Sequence, residues 1–234
     1  MNIRMKFKKN GCMKFIGHLD IMRYFQKAIR RADIDIAYSE GFSPHMIMSF
    51  AAPLGVGLTS EGEYVDLQVH TCESSKAAVD ALNRVMVEGM EVVSFKRLPE
   101  DVKNAMSSVA AADYFVKFRE GYAPENWEEK FNTFLMKEEM PIIKKTKRSE
   151  AEVDLKPMLY EALIRVGGIF MQVACGSVNN LKPELVMEAF YKEYSMELTP
   201  FALEVCRLEV YADLGTETKR KLVPLEELGE DIES

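Results

Sequence analysis

From Asn2 to Lys8 the apolar side chains fall on every second residue, Ile3, Met5 and Phe7; from His18 to Ala32 they fall on Leu19, Met22, Phe25, Ala28, Ile29 and Ala32. The first spacing is that of a strand with one buried face, the second that of a helix with an apolar stripe. A chain that switches period this early is built to pack a helix on a sheet. Asn10-Gly11 is a turn signal, after which Met13-Lys14-Phe15 is expected to return as a short hairpin arm. Further on, Met46 to Phe50 and Glu63 to Val69 read as strands, Ser75 to Val87 as a helix and Met90 to Lys96 as a strand. The order is βαββαβ.

After a polar connector over Pro99 to Ala112, the order returns. Asp113 to Arg119 reads as a strand, Asn126 to Glu138 as a helix, and Pro141 to Thr146, Leu159 to Val166 and Ile169 to Ala174 as strands; Pro183 to Tyr194 reads as a helix and Arg207 to Ala212 as a closing strand. The expected fold class is α+β, with two tandem ferredoxin-like (βαββαβ) domains and antiparallel sheets. They are expected over residues 1–98, with a His-containing loop, and 113–214, followed by an acidic mobile tail over 215–234. Element order alone carries the duplication, because no residue-level repeat is visible.

Composition narrows the function classes. With 234 residues and 47% apolar content, the chain buries a core, which excludes disorder and collagen. The longest apolar stretches, such as Phe50 to Leu58, are broken by Pro and Gly and fall short of a membrane span, and the N-terminus lacks an apolar signal core. A cytoplasmic protein with no membrane partner is expected. Cys12, Cys72, Cys175 and Cys206 form no CxxC pair and no staple framework. The net charge of −7 is uneven: residues 1–60 carry nine basic residues against four acidic ones, a balance of +5 that leaves −12 for the rest. Arg23, Lys27, Arg30 and Arg31 share the first helix with its apolar stripe, so an anionic partner is open to this chain despite its acidity. A plain solvated helix face is the other account of the same residues.

The loop from Tyr38 to Gly57 is long and dense in Gly, Pro, Ser, aromatic side chains and a histidine. Gly41 permits a positive φ and Pro44 sets its own, so His45 is presented at a defined place after Phe42 and Ser43. His45 either bonds loop carbonyls or serves a site. His18, at the start of the first helix, either packs there or joins it. Should the loop fold back, His18, Asp20, Tyr38, Ser39, His45 and Ser49 converge near the positive helix end, a place for a phosphate or carboxylate. Glu61, Glu63 and Tyr64 stand at the next strand's entrance, with Glu63 and Asp66 as ordinary edge charges in the simpler reading. Lys144, Lys145, Lys147 and Arg148 form a basic hairpin run, a nucleic-acid contact or a solvated turn. No metal site, P-loop, HExxH or Ser-His-Asp spacing is written in the chain.

The run Phe15-Ile16-Gly17-His18-Leu19-Asp20 with Met22-Arg23 and Arg30-Arg31-Ala32, then Tyr38-Ser39-Glu40-Gly41-Phe42-Ser43-Pro44-His45, resembles the radical-SAM-linked family of uncharacterised bacterial proteins. The match is most specific over residues 1–70. It departs from the usual motif at Ser43, where Asn is common, and at Met46, where Pro is common. The resemblance implies an accessory module for a radical SAM protein, with S-adenosylmethionine and the iron–sulfur cluster on that partner and no cofactor on this chain. Together with the basic helix it points to a structured RNA, tRNA or rRNA, as the bound substrate. A metal-independent RNA-processing enzyme using His18 and His45 is the second expectation, and a module that only docks on the radical SAM partner is the third. The tandem order also resembles that of CRISPR repeat-RNA processing endonucleases, in topology only.

Overall fold

A computed structural model of the chain describes residues 1–145, 150–216 and 219–233. In chain order its elements are β1 (Asn2–Lys9), α1 (His18–Arg31), β2 (Met48–Phe50), β3 (Thr59–Gln68), α2 (Ser75–Asn83), β4 (Met90–Arg97), α3 (Ala105–Ser108) and β5 (Val109–Phe118). There follow α4 (Trp127–Leu135), β6 (Pro141–Lys145), β7 (Glu150–Asp154), β8 (Leu159–Arg165), β9 (Gly168–Ala174), α5 (Pro183–Glu193), β10 (Leu203–Asp213), β11 (Leu222–Pro224) and β12 (Glu230–Asp231). The fold is α+β. Two compact units divide the chain, Met1–Ala111 with Arg207–Ser234, and Ala112–Cys206.

In the first unit β1 pairs antiparallel with β3 and β4, and β2 pairs antiparallel with β3, giving the spatial order β4-β1-β3-β2. Ile3, Met5 and Phe7 point from β1 into one core, where they meet Ile21, Phe25 and Ile29 of α1, Leu82 of α2 and Phe95 of β4. Phe25 stands edge-on to Phe7, Tyr24 and Phe50. The expected hairpin arm at Met13–Phe15 is instead a 3-10 turn over Gly11–Phe15. Gly11 turns the chain at φ +56°, and the Met13 and Ile16 amides then donate three residues back, to Asn10 and Met13.

The polar face of β1 corrects a second expectation, because it too is buried. Arg4 forks onto Asp66 at 2.8 and 3.0 Å and also donates to the Lys103 and Leu225 carbonyls. Lys6 donates to Glu209 and Glu226, each at 2.6 Å. Tyr64 donates to Glu209 at 2.6 Å, and its hydroxyl is pushed far above the usual tyrosine range by burial and by Glu209. Asp66 is thus no ordinary edge charge. Residues after 214, expected as a mobile tail, supply β11 against β10, a 3-10 turn at Leu225–Leu228 with Leu225 buried, and β12 against β4.

In the second unit the strand order is β10-β5-β9-β8, β10 belonging to it only through Leu203–Cys206, with β8 and β9 antiparallel. Phe131 and Phe134 of α4 pack on Phe190 of α5. The hairpin β6-β7 is a separate two-stranded sheet; its second strand, Glu-Ala-Glu-Val-Asp, alternates over only two apolar residues, Ala151 and Val153, among three acids, too short a pattern to announce it. Among the described residues, no helix is long and apolar enough to cross a membrane.

Candidate functional site

The start of α1, the end of β1 and the segment after β2 enclose a small cavity in the first unit, lined by Phe7, Lys9, His18, Phe50, Leu54 and Glu63 among others. His18 opens α1 and sets its ring edge-on to Phe50 at 5.2 Å. Lys9 is only 3% exposed, and its Nζ donates to the Ile16 carbonyl at 3.1 Å. Burial pushes its amine below the usual lysine range; Glu63 opposes that shift and Arg207 adds to it.

Glu63 and Arg207, at 5% and 2% exposure, form the wall behind Lys9. Arg207 Nε donates to Glu63 Oε1 at 2.7 Å and Nη2 bonds Glu63 Oε2, a two-point fork. The same Nη2 donates to the Ala52 carbonyl at 2.6 Å, tying the cavity's loop to β10. Glu63 therefore has a buried structural partner rather than an edge position. Neither Lys9 nor Arg207 stood out as a site residue in the sequence. Continuing the period of two past Ile3, Met5 and Phe7 does place Lys9 on the core face, a usable signal.

His45 is not among the residues that line this cavity. Its loop closes on itself: Tyr38 bridges Met46, the Ser39 amide donates to the His45 carbonyl at 2.9 Å, and Ser39 Oγ lies 2.8 Å from His45 Nδ1. Gly41 has the expected positive φ, +104°. The Ile47 carbonyl then takes the amide of Gln68, five residues along β3 from Glu63, a span of roughly 16 Å. That register, set by β2 on β3, separates the two histidines. Tyr38, Phe42, Pro44 and His45 are exposed, and Phe42 reaches solvent over its whole side chain. Ser49 sits half-buried opposite Asp66. Glu61 accepts from Asn10 at 3.1 Å and shares Lys8 with Glu91, so its carboxylate is engaged in the sheet.

The +5 balance of residues 1–60 overstates the surface, since Arg4, Lys6 and Lys9 are buried. What remains is concentrated on α1. Lys27, Arg30 and Arg31 are exposed, and among the described residues no carboxylate lies within ion-pair distance of them; Arg23 is exposed and pairs with Asp20 at 3.2 Å. Of the basic hairpin, Lys144 and Lys145 belong to β6, while Lys147 and Arg148 lie outside the described residues. Among the described residues no three His, Cys, Asp or Glu side chains gather as a metal site.

No curated protein matches this chain. The model of the family described as "Uncharacterized protein conserved in bacteria (DUF2344)" matches residues 2–183, which take in α1, the His45 loop and the residues that line the cavity, but not Arg207. The chain belongs to that bacterial family.

Proposed function

We propose that this protein is an accessory module of a radical SAM system that binds a structured RNA, a tRNA or rRNA, through the outer face of α1. One observation carries the reading: Lys27, Arg30 and Arg31 stand exposed without carboxylate partners among the described residues, one and two helical turns on from the exposed Arg23. Four cations along nine residues of helix cover about 12 Å, a strip suited to a phosphate backbone. The loop that leaves this helix carries Tyr38 and the fully exposed Phe42, flat groups on which unpaired bases stack. The radical SAM partner, with its S-adenosylmethionine and cluster, enters through the resemblance of the Gly17-His18-Leu19-Asp20 and Gly41-Phe42-Ser43-Pro44-His45 runs.

The strand orders β4-β1-β3-β2 and β10-β5-β9-β8 support reading the units as tandem ferredoxin-like domains. The test is fluorescence anisotropy with an unmodified tRNA transcript at low salt, comparing the natural protein with the triple variant Arg23→Glu, Lys27→Glu, Arg30→Glu. The reversal is expected to abolish binding while the circular-dichroism spectrum stays unchanged. Equal affinity of the two proteins, or no affinity in either, overturns the proposal.

A further inference from the structure

We propose that the cavity at the start of α1 binds the carboxylate head of a small organic acid whose apolar body rests on the surface beside it. Lys9 is the anchor. An ammonium has three N–H donors, and this one, at 97% burial, donates to the neutral carbonyl of Ile16. Among the described residues no carboxylate lies within ion-pair distance of Lys9, and both oxygens of Glu63 are held by Arg207. A buried cation met by one neutral acceptor is poorly compensated, and an anion in the cavity supplies what it lacks. Lys9, Glu63 and Arg207 together carry one net positive charge.

The helix adds to that field. Gly17 caps α1 with no side-chain bond, and the first N–H groups to return to its carbonyl are those of Asp20 and Ile21. The His18 and Leu19 amides thus remain at the positive end of a 14-residue helix whose first side chain lines the cavity. Size decides the chemical class. The cavity holds about 20 Å³, where one water-sized group needs roughly 10–15 Å³. That is room for one or two oxygen-sized groups, which suits the pair of a carboxylate better than the four of a phosphate. The adjoining chain segments carry exposed apolar side chains: Phe15, Leu19 and Val56 are each more than 60% exposed. The Gly57 amide donates to the Lys14 carbonyl at 2.8 Å and joins these two segments.

The experiment titrates the full chain with phenylacetate, acetate and inorganic phosphate at an ionic strength fixed by sodium chloride, reading the thermal midpoint. In parallel, the Lys9 Cε resonance is followed in protein labelled with carbon-13 lysine. Phenylacetate is expected to raise the midpoint saturably and more than acetate, with phosphate no better than chloride, and to move the Lys9 resonance. Lys9→Met is expected to weaken phenylacetate binding roughly ten- to a hundred-fold, the worth of a hydrogen bond to a charged group. A midpoint that follows chloride alone, an equal response in Lys9→Met, or a stronger response to phosphate overturns the proposal. Where Lys9→Met fails to fold, the resonance decides: an unmoved Lys9 signal at saturating phenylacetate overturns it equally.

Discussion

Replacing Arg207 by Met tests how the first unit holds its buried charge. The substitution removes the fork onto Glu63, made at 2.7 Å through Nε and again through Nη2, and the bond to the Ala52 carbonyl at 2.6 Å. Glu63, 5% exposed, is left without its partner. Breaking a buried pair from one side costs about 3–5 kcal/mol, since the remaining ion keeps its desolvation penalty. With a urea slope of about 2 kcal/mol per molar, the midpoint drops by roughly 1.5–2.5 M. The double variant Arg207→Met, Glu63→Gln removes the stranded charge as well, and its midpoint is expected to recover by more than half of that loss. Urea titrations at neutral pH, followed by fluorescence and circular dichroism, measure both. The reasoning is refuted if Arg207→Met costs less than about 1 kcal/mol, or if the double variant loses the sum of the two single losses.

Two further outcomes follow from the first unit. Burial alone lowers Lys6, but Glu209 and Glu226 together raise it above its ordinary 10.5, while Glu226, which burial alone raises, is held below 4.5 chiefly by Lys6. Their contribution is therefore full between those two values; it fades as pH falls through the lowered carboxyl and as it rises through the raised amine, and Glu226→Gln is expected to flatten the acid limb of urea midpoint against pH. At Gly89, φ is +87° and a Cβ would stand 2.5 Å from the Asn10 carbonyl oxygen, whereas at Gly57, φ +93°, it would meet nothing within 4 Å. Both alanine variants carry strain of about 1–3 kcal/mol, and Gly89→Ala is expected to lose distinctly more in thermal midpoint; equal losses contradict the clash.

Local periodicity made much of this legible. The strand at Ile3, Met5 and Phe7 and the helix from His18 stand where their spacing puts them, because both are decided by which face meets the core. The positive φ of Gly41 was likewise readable from a turn rich in Gly and Pro. Partners far along the chain were hidden. Arg4 and Lys6 look like a solvated strand face until Asp66, Glu209 and Glu226 arrive from up to 220 residues away. The same holds for Glu63, whose role depends on Arg207, 144 residues on. Whether His18 and His45 meet hinges on the register of a three-residue strand, β2, which no local pattern fixes. Counting charge in sequence mixed buried and exposed cations, and only burial sorts them.

The salt dependence of RNA binding tests the central claim most directly. If Arg23, Lys27, Arg30 and Arg31 each neutralise one phosphate, log affinity falls against log salt with a slope of about −3.6, and raising salt from about 50 to 200 mM costs roughly a hundred-fold in affinity for tRNA. Reversing Arg30 alone is expected to shallow the slope by about 1. A slope near zero, or one that Arg30→Glu leaves unchanged, contradicts binding through this face of α1.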